Sequence, residues 1–350
     1  LARDKRSALY RRAAGLLSLV LAGVLMELAL RLLESVQKAR NRTAWENVGK
    51  YRPAPDASVT LGGMVRRSAN PRIVFELIPD ISVHFMKRKV TTDSSGFRVT
   101  PCSSPDTNAY CIIGLGDSVM FGWGVKDEDT YINGLCSRLT EQIPSRPWRL
   151  INMAVPGYNS VMELETLKVK GLPLKPSLVM VHYLSNDQEL PYFITVQDKS
   201  GRGNTSYLLS ALSDAWRDEP PPDRDFGLTR TSGSGSTNYD YMTGIRAVQG
   251  AVTEMCSLAS RNNFRLVFIM GSEPPDYLRD IVQGPNVYVF NYRPAIGAYC
   301  ERERLSKEQA GRVLSVAPRD PHFSPIAHQV VAEALFKFIS PLVESEPSKP

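Results

Sequence analysis

From about residue 108 the chain alternates between short, uninterrupted apolar runs and longer stretches with helical spacing. The runs YCIIGLG (110–116), WRLINM (148–153), SLVMVHYL (177–184), FRLVFIM (264–270) and VYVF (287–290) are apolar at consecutive rather than alternate positions. A strand that reads this way is buried on both faces, as in a parallel sheet covered by helices on each side. Helices are expected over roughly 129–142, 160–171, 245–262 and 324–340. The pattern predicts an α/β fold: a three-layer α/β/α sandwich around a parallel sheet of about five strands.

Upstream the pattern differs. Residues 13–26 are apolar apart from Ser18, and the apolar character continues to Leu33, interrupted only by Glu27 and Arg31. The first part alone spans about 21 Å as a helix, short of a bilayer core of about 30 Å; extended to Leu33 it is long enough. Arg3, Lys5, Arg6, Arg11 and Arg12 precede it, which favours a cytoplasmic N-terminal side and export of the downstream chain. The expectation is a basic cytoplasmic segment (1–12), one transmembrane signal-anchor (13–33) and a catalytic domain on the extracytoplasmic side, periplasmic or extracellular. A cleaved signal peptide is the competing reading, although no small-x-small site comes after the run. Residues 37–100 read as a strap or linker, and 101–345 as the main domain. Within it, 191–243 contains DEPPPDRD and TSGSGSTN and reads as a lid-like or flexible insertion.

Composition narrows the classes. With 43% apolar and 22% charged residues the chain is globular, and its net charge of +6 lies largely in the first dozen positions. No basic stripe is interleaved with aromatics, so no nucleic-acid partner is expected. The five cysteines, at 102, 111, 136, 256 and 300, form no CxxC pair, so neither metal nor cofactor is expected.

Candidate chemistry collects where strands end, which is where open α/β sheets bind ligands. Gly116-Asp117-Ser118 comes after the first run and offers a hydroxyl at a tight turn; an ordinary strand-to-helix turn would read the same. Asp320-Pro321-His322 stands just before Ser324-Pro325, a helix start with serine as cap and proline at the first position. There Asp320 can hold one imidazole nitrogen while the other takes a proton from a serine. Of the four histidines, His182 lies in an apolar strand, His328 inside the last helix and His84 in the strap, leaving His322 as the candidate base. Gly157, in NMAVPGYNS, and Asn186, in YLSNDQ, stand after the second and third runs. A glycine N–H and an asparagine amide suit an oxyanion, although Pro-Gly and Asn-Asp also make common turns.

In that order, Ser118, Gly157, Asn186 and His322 stand in segments that resemble the four blocks of the SGNH (GDSL-type) hydrolases. GLGDSVMFGWGV resembles the nucleophile block, and NMAVPGYNS and SNDQ the two that supply oxyanion donors. DPHFSPIAHQVVAE resembles the last, which holds the Asp and His of the triad. The strap stretches NPRIVFELIPD and TTDSSGFR resemble membrane-anchored members. Two positions depart from the pattern: Leu184 replaces a usual glycine, and Asp320-x-His322 is one residue shorter than the commoner spacing. The resemblance implies an SGNH-hydrolase, flavodoxin-like fold and a Ser118–His322–Asp320 triad. It also implies an oxyanion hole from Ser118, Gly157 and Asn186. The implied activity is ester hydrolysis on a small ester or acylated carbohydrate. The alternatives are an O-acyltransferase modifying an envelope polysaccharide and a non-catalytic glycan-binding or scaffolding protein.

Overall fold

The computed structural model describes residues 2–191, 206, 208, 229–230, 239–318 and 320–344. Five parallel strands form the central sheet: β1 (Tyr110–Gly116), β2 (Trp148–Asn152), β3 (Leu178–His182), β4 (Arg265–Met270) and β5 (Val287–Asn291), in the order β5-β4-β3-β1-β2. Ile113 of β1 sits between Ile151 of β2 and Val179 of β3. Every residue of β1 and β3 is buried, which explains why their sequences run apolar without alternation.

The chain leaves β1 towards one edge to form β2, then returns to form β3 on the other side of β1. With right-handed crossovers that reversal puts successive helices on opposite faces and opens a crevice at the carboxyl ends of β1 and β3. On one face α3 (Tyr131–Gln142) packs against α8 (Pro325–Glu344); on the other α4 (Ser160–Thr166) packs against α5 (Gly244–Asn262). Helix α8 starts as its sequence directs, with the Ser324 hydroxyl accepting the Ala327 N–H at 3.2 Å. It buries Val331, Leu335, Ile339 and Val343 in a four-residue stripe.

The three-layer α/β/α sandwich is as expected, but several elements differ. The helix expected over 160–171 is α-helical only to Thr166, then widens into a π turn (Leu167–Gly171) and a 3₁₀ turn (Leu172–Leu174). Pro173 cannot donate into a regular ladder there. Helices α6 (Arg293–Arg302) and α7 (Lys307–Leu314) were not expected; neither buries a residue fully, and their apolar faces, Ala295, Ile296 and Tyr299 in one and Ala310, Val313 and Leu314 in the other, are only half-buried. The strap forms two small sheets, one of Ser58–Val59, Ser82–Phe85 and Arg88–Thr91 and one of Val65–Arg67 and Phe75–Leu77. Of the expected 191–243 insertion, most lies outside the described residues. Its base is an antiparallel pair between Leu190–Pro191 and Thr229–Arg230.

Helix α1 (Ala2–Asn47) is longer than the apolar run, because strong helix formers continue past it without Gly or Pro. Its segment Ala13–Leu33 has a mean hydropathy of 2.2 and no burial, which fits a membrane span and equally a signal sequence. Glu27 and Arg31 pair at 2.9 Å, as their spacing suggested, and the other Glu27 oxygen accepts from the Ser206 hydroxyl and the Leu208 N–H. Helix α8 is long and apolar enough for the same composition test, but 44% of its span is buried and it serves as a core helix.

One buried charge ties the strap to the sheet. Arg98, only 1% exposed, pairs with Asp127 at 2.8 Å and donates to the carbonyls of Phe121, Gly122 and Val125 at 2.6–2.7 Å. Its own backbone bridges to Asn152 at the end of β2. Burial pulls the Arg98 pKa down and that of Asp127 up, each against the charge of the other. Gly122 has φ +92°, and a side chain there would meet Arg98 Nη1 at 2.8 Å, so only glycine permits this approach. Replacing Arg98 by methionine is expected to lower stability by about 3–5 kcal/mol, because Asp127 would stay buried without its partner. Thermal melting reads the loss, and adding Asp127→Leu should recover part of it.

Candidate active site

Strand β1 ends at Gly116, and the chain turns at once into a single helical turn, α2 (Ser118–Phe121). Asp117 caps it by accepting the Val119 N–H at 3.1 Å. The Ser118 N–H, at the first position of this turn, has no acceptor among the described residues. The Asp320-Pro321-His322 segment, expected as a loop, is a short strand (Asp320–Phe323) paired antiparallel with Ser315–Ala317. That pairing and the Ser324 cap fix the imidazole from both sides.

The structure brings three of the expected residues into contact. His322 Nε2 lies 2.8 Å from Ser118 Oγ, and His322 Nδ1 lies 2.6 Å from Asp320 Oδ1. A carboxylate only accepts, so the ring carries its proton on Nδ1 and leaves Nε2 to accept from the serine hydroxyl. Asp117 Oδ2, at 3.3 Å, is a second but more distant acceptor for the same proton. The shorter Asp-x-His spacing does not prevent the contact, because Asp320 also takes the backbone N–H of His322 at 3.1 Å. Burial raises the Asp320 carboxyl, but the hydrogen bonds and charge of His322 outweigh it and leave its pKa below the ordinary 3.8. Asp320 therefore holds His322 fully above that pH and loses its grip only as pH falls through the lowered value.

Asn186 belongs to a 3₁₀ turn (Ser185–Gln188) just beyond β3, across the crevice from Ser118. Its side-chain amide donates to Asp117 Oδ2 at 3.1 Å, which orients the group beside the serine. Gly157 is placed by an extension of the β2 pairing: Met153 and Val155 donate to the carbonyls of Gly114 and Gly116 at 2.8 and 3.1 Å. The turn then reaches Gly157 with φ +82°, two residues after the bond from Val155 to Gly116. No acceptor among the described residues meets the Gly157 N–H.

Sequence reasoning missed three features. Trp123 donates its indole N–H to Asp320 Oδ2 at 3.1 Å and stacks on His322, with ring centroids 5.0 Å apart. Its signal was its place in FGWGV, between two glycines. Glu163 and Asp187 are wholly buried behind Asp117, and both Glu163 oxygens lack a hydrogen-bond partner among the described residues. Burial first and the nearby acids second push both pKa values well above the carboxylate range. Of the remaining histidines, His182 bonds the Tyr131 hydroxyl and His328 accepts the Tyr131 N–H. Burial pushes both down to about 3, so they are neutral near pH 7. His84 bonds the Asp56 carbonyl in the strap. Among the described residues no cluster of acids, histidines and cysteines could hold a metal ion, and the five cysteines are free thiols.

The sequence matches no protein-family model and no curated protein. Several solved structures are similar to part of the chain at low identity. TesA is 15% identical, with 66% of this chain and 99% of that one covered and a TM-score of 0.38. For the psychrotrophic esterase EstA from Pseudoalteromonas sp. the figures are 12% identity, 67% and 100% coverage, and 0.39. For the acetyl xylan esterase AlAXEase they are 14%, 65% and 99%, and 0.42.

Two outcomes test this geometry. Trp123→Phe keeps the ring stack but removes the bond to Asp320; kcat for an ester substrate should fall about tenfold with little change in KM. Glu163→Gln mimics the protonated acid. A raised carboxyl pKa costs folding stability as pH climbs above the ordinary 4.5, where the unfolded chain ionises and the folded one does not. The variant should therefore match wild type in melting temperature below about pH 4.5 and exceed it increasingly at higher pH; a variant less stable at pH 8 would contradict the assignment.

Proposed function

We propose that the chain is a serine-dependent ester hydrolase acting on a small acyl ester, such as acetyl on a carbohydrate. The observation that carries this reading is the continuous contact from Asp320 through His322 to Ser118, with an acceptor nitrogen 2.8 Å from the hydroxyl. In the proposed reaction Ser118 Oγ attacks the ester carbonyl while His322 Nε2 takes its proton. Asp320 stabilises the imidazolium and keeps Nδ1 towards itself. The oxyanion is met by the N–H groups of Ser118 and Gly157 and the amide of Asn186. The protonated imidazole then gives its proton to the departing alkoxide, leaving an acyl group on Ser118. Water, deprotonated by His322, releases the acid and restores the serine.

The same acyl-serine would serve an O-acyltransferase if a sugar hydroxyl replaced water. The covered nucleophile favours keeping that second reading, since Ser118 is 1% exposed and His322 4%. In either case residues 13–33 are proposed to tether the 101–345 domain to the membrane on its extracytoplasmic side, with 191–243 as a lid-like or flexible insertion.

Turnover of p-nitrophenyl acetate by the purified full chain tests the reading. Ser118→Ala and Asp320→Asn should each reduce kcat by about 10,000-fold. A folded wild-type protein without turnover, or a Ser118→Ala variant that keeps it, would point to a non-catalytic glycan-binding or scaffolding protein. Free acetate measured with and without added polysaccharide separates hydrolysis from transfer.

A further inference from the structure

A cleft of about 560 Å³, within the range of about 300–1,000 Å³ usual for small-molecule sites, has Arg98 in its lining. It runs between the outer edge of β2, at Arg149–Ile151, and the strap segment 93–105, with Arg66, Glu76 and Lys170 as its third wall. None of Ser118, Gly157, Asn186, Asp320 or His322 lines it.

Its polar groups are incompletely matched. Thr100 lines the cleft while only 8% exposed, and its hydroxyl has no hydrogen-bond partner among the described residues. With less than 1 Å² of accessible surface, that hydroxyl lies behind the cleft wall, and Thr100 meets the cleft through its other atoms. The Ser103 hydroxyl accepts the Leu150 N–H at 2.9 Å, and its own proton has no acceptor among the described residues.

The charges are unbalanced in the same direction. Glu76 is shared by two cations, Arg66 at 2.7 Å and Lys170 at 2.6 Å. Arg149, half-buried at the edge strand, has no ion pair or hydrogen bond among the described side chains. Asp93, the other acid of the lining, is already engaged by the N–H groups of Ser95 and Phe97. Arg98 is neutralised by Asp127. Three cations thus face two carboxylates, which leaves room for one anionic group beside several hydroxyls. The one aromatic ring of the lining, Phe97, is 8% exposed and has the Lys170 ammonium 5.7 Å over it. No face remains for stacking a nucleobase.

We propose that this cleft binds a carboxylate-bearing saccharide, with Arg149 holding the carboxylate and the Ser103 hydroxyl meeting a sugar hydroxyl. The assignment is independent of ester turnover at Ser118, so the two can fail separately. It also places a holding point for an acidic polysaccharide on the strap, joined through Arg98 to the nucleophile loop.

Calorimetric titration of the full chain in detergent with trigalacturonic acid, maltotriose and inorganic phosphate tests it. One equivalent of the acidic trimer should bind, with maltotriose and phosphate each at least about tenfold weaker. Arg149→Glu should weaken the acidic trimer by about tenfold or more, with melting temperature and p-nitrophenyl acetate turnover unchanged. Ser103→Ala should weaken it less than Arg149→Glu does. Equal binding of the neutral trimer or of phosphate alone would overturn the proposal, as would an Arg149→Glu variant that binds like wild type. Loss of binding when Ser118 is blocked by a phosphonate would place the saccharide at the active site instead.

Discussion

A guanidinium removed from water must have every donor answered, and Arg98 meets that demand by drawing the backbone of the nucleophile loop around itself. Asp127 supplies the counter-charge, and the carbonyls of Phe121, Gly122 and Val125 accept the remaining donors. Because an unanswered buried charge is so costly, these contacts fix the path of the chain from Ser118 to Asp127. That path carries Trp123, whose indole N–H reaches Asp320. Asp320 in turn bonds His322, and His322 bonds Ser118. The strap is therefore part of the architecture of the site, although it contributes no reacting atom.

The electrostatics around Ser118 divide by burial. In front, Asp320 is kept ionised by its bonds to His322 and Trp123. Behind, Glu163 and Asp187 share a closed pocket with Asp117, and burial together with their mutual repulsion favours the protonated forms. Two neutral acids behind the loop spare Asp117 two additional like charges, and Asp117 is the residue that holds the Asn186 amide. The arrangement keeps one ionised carboxylate against His322 and leaves two further acids uncharged behind the loop.

The sheet was legible because burial on both faces forces a continuous apolar sequence, and β1 and β3 carry it with His182 as the one polar side chain. The contact of Ser118 with His322 was legible from two local signals: a glycine turn at a strand end and a capped helix start at Ser324. What the sequence concealed depends on contacts between segments far apart. Trp123 and Asp320 are 197 positions apart, and nothing local to the tryptophan names its partner. Glu163 looks like an ordinary acid in the first turn of a helix, and only the packing of α5 over α4 buries it. Helices α6 and α7 are short and their apolar faces are only half-buried, so their periodicity is a weak signal. The full length of α1 was missed because its polar ends obey propensity rather than pattern.

The most direct test of the account is covalent capture. The full chain would be treated with an alkyl fluorophosphonate and its adduct mapped by peptide mass spectrometry, with His322→Ala in parallel. The geometry predicts a single adduct on Ser118 in the wild type, formed far more slowly in the variant. A folded wild-type protein that takes no label on Ser118, or labels there as fast without His322, would contradict it.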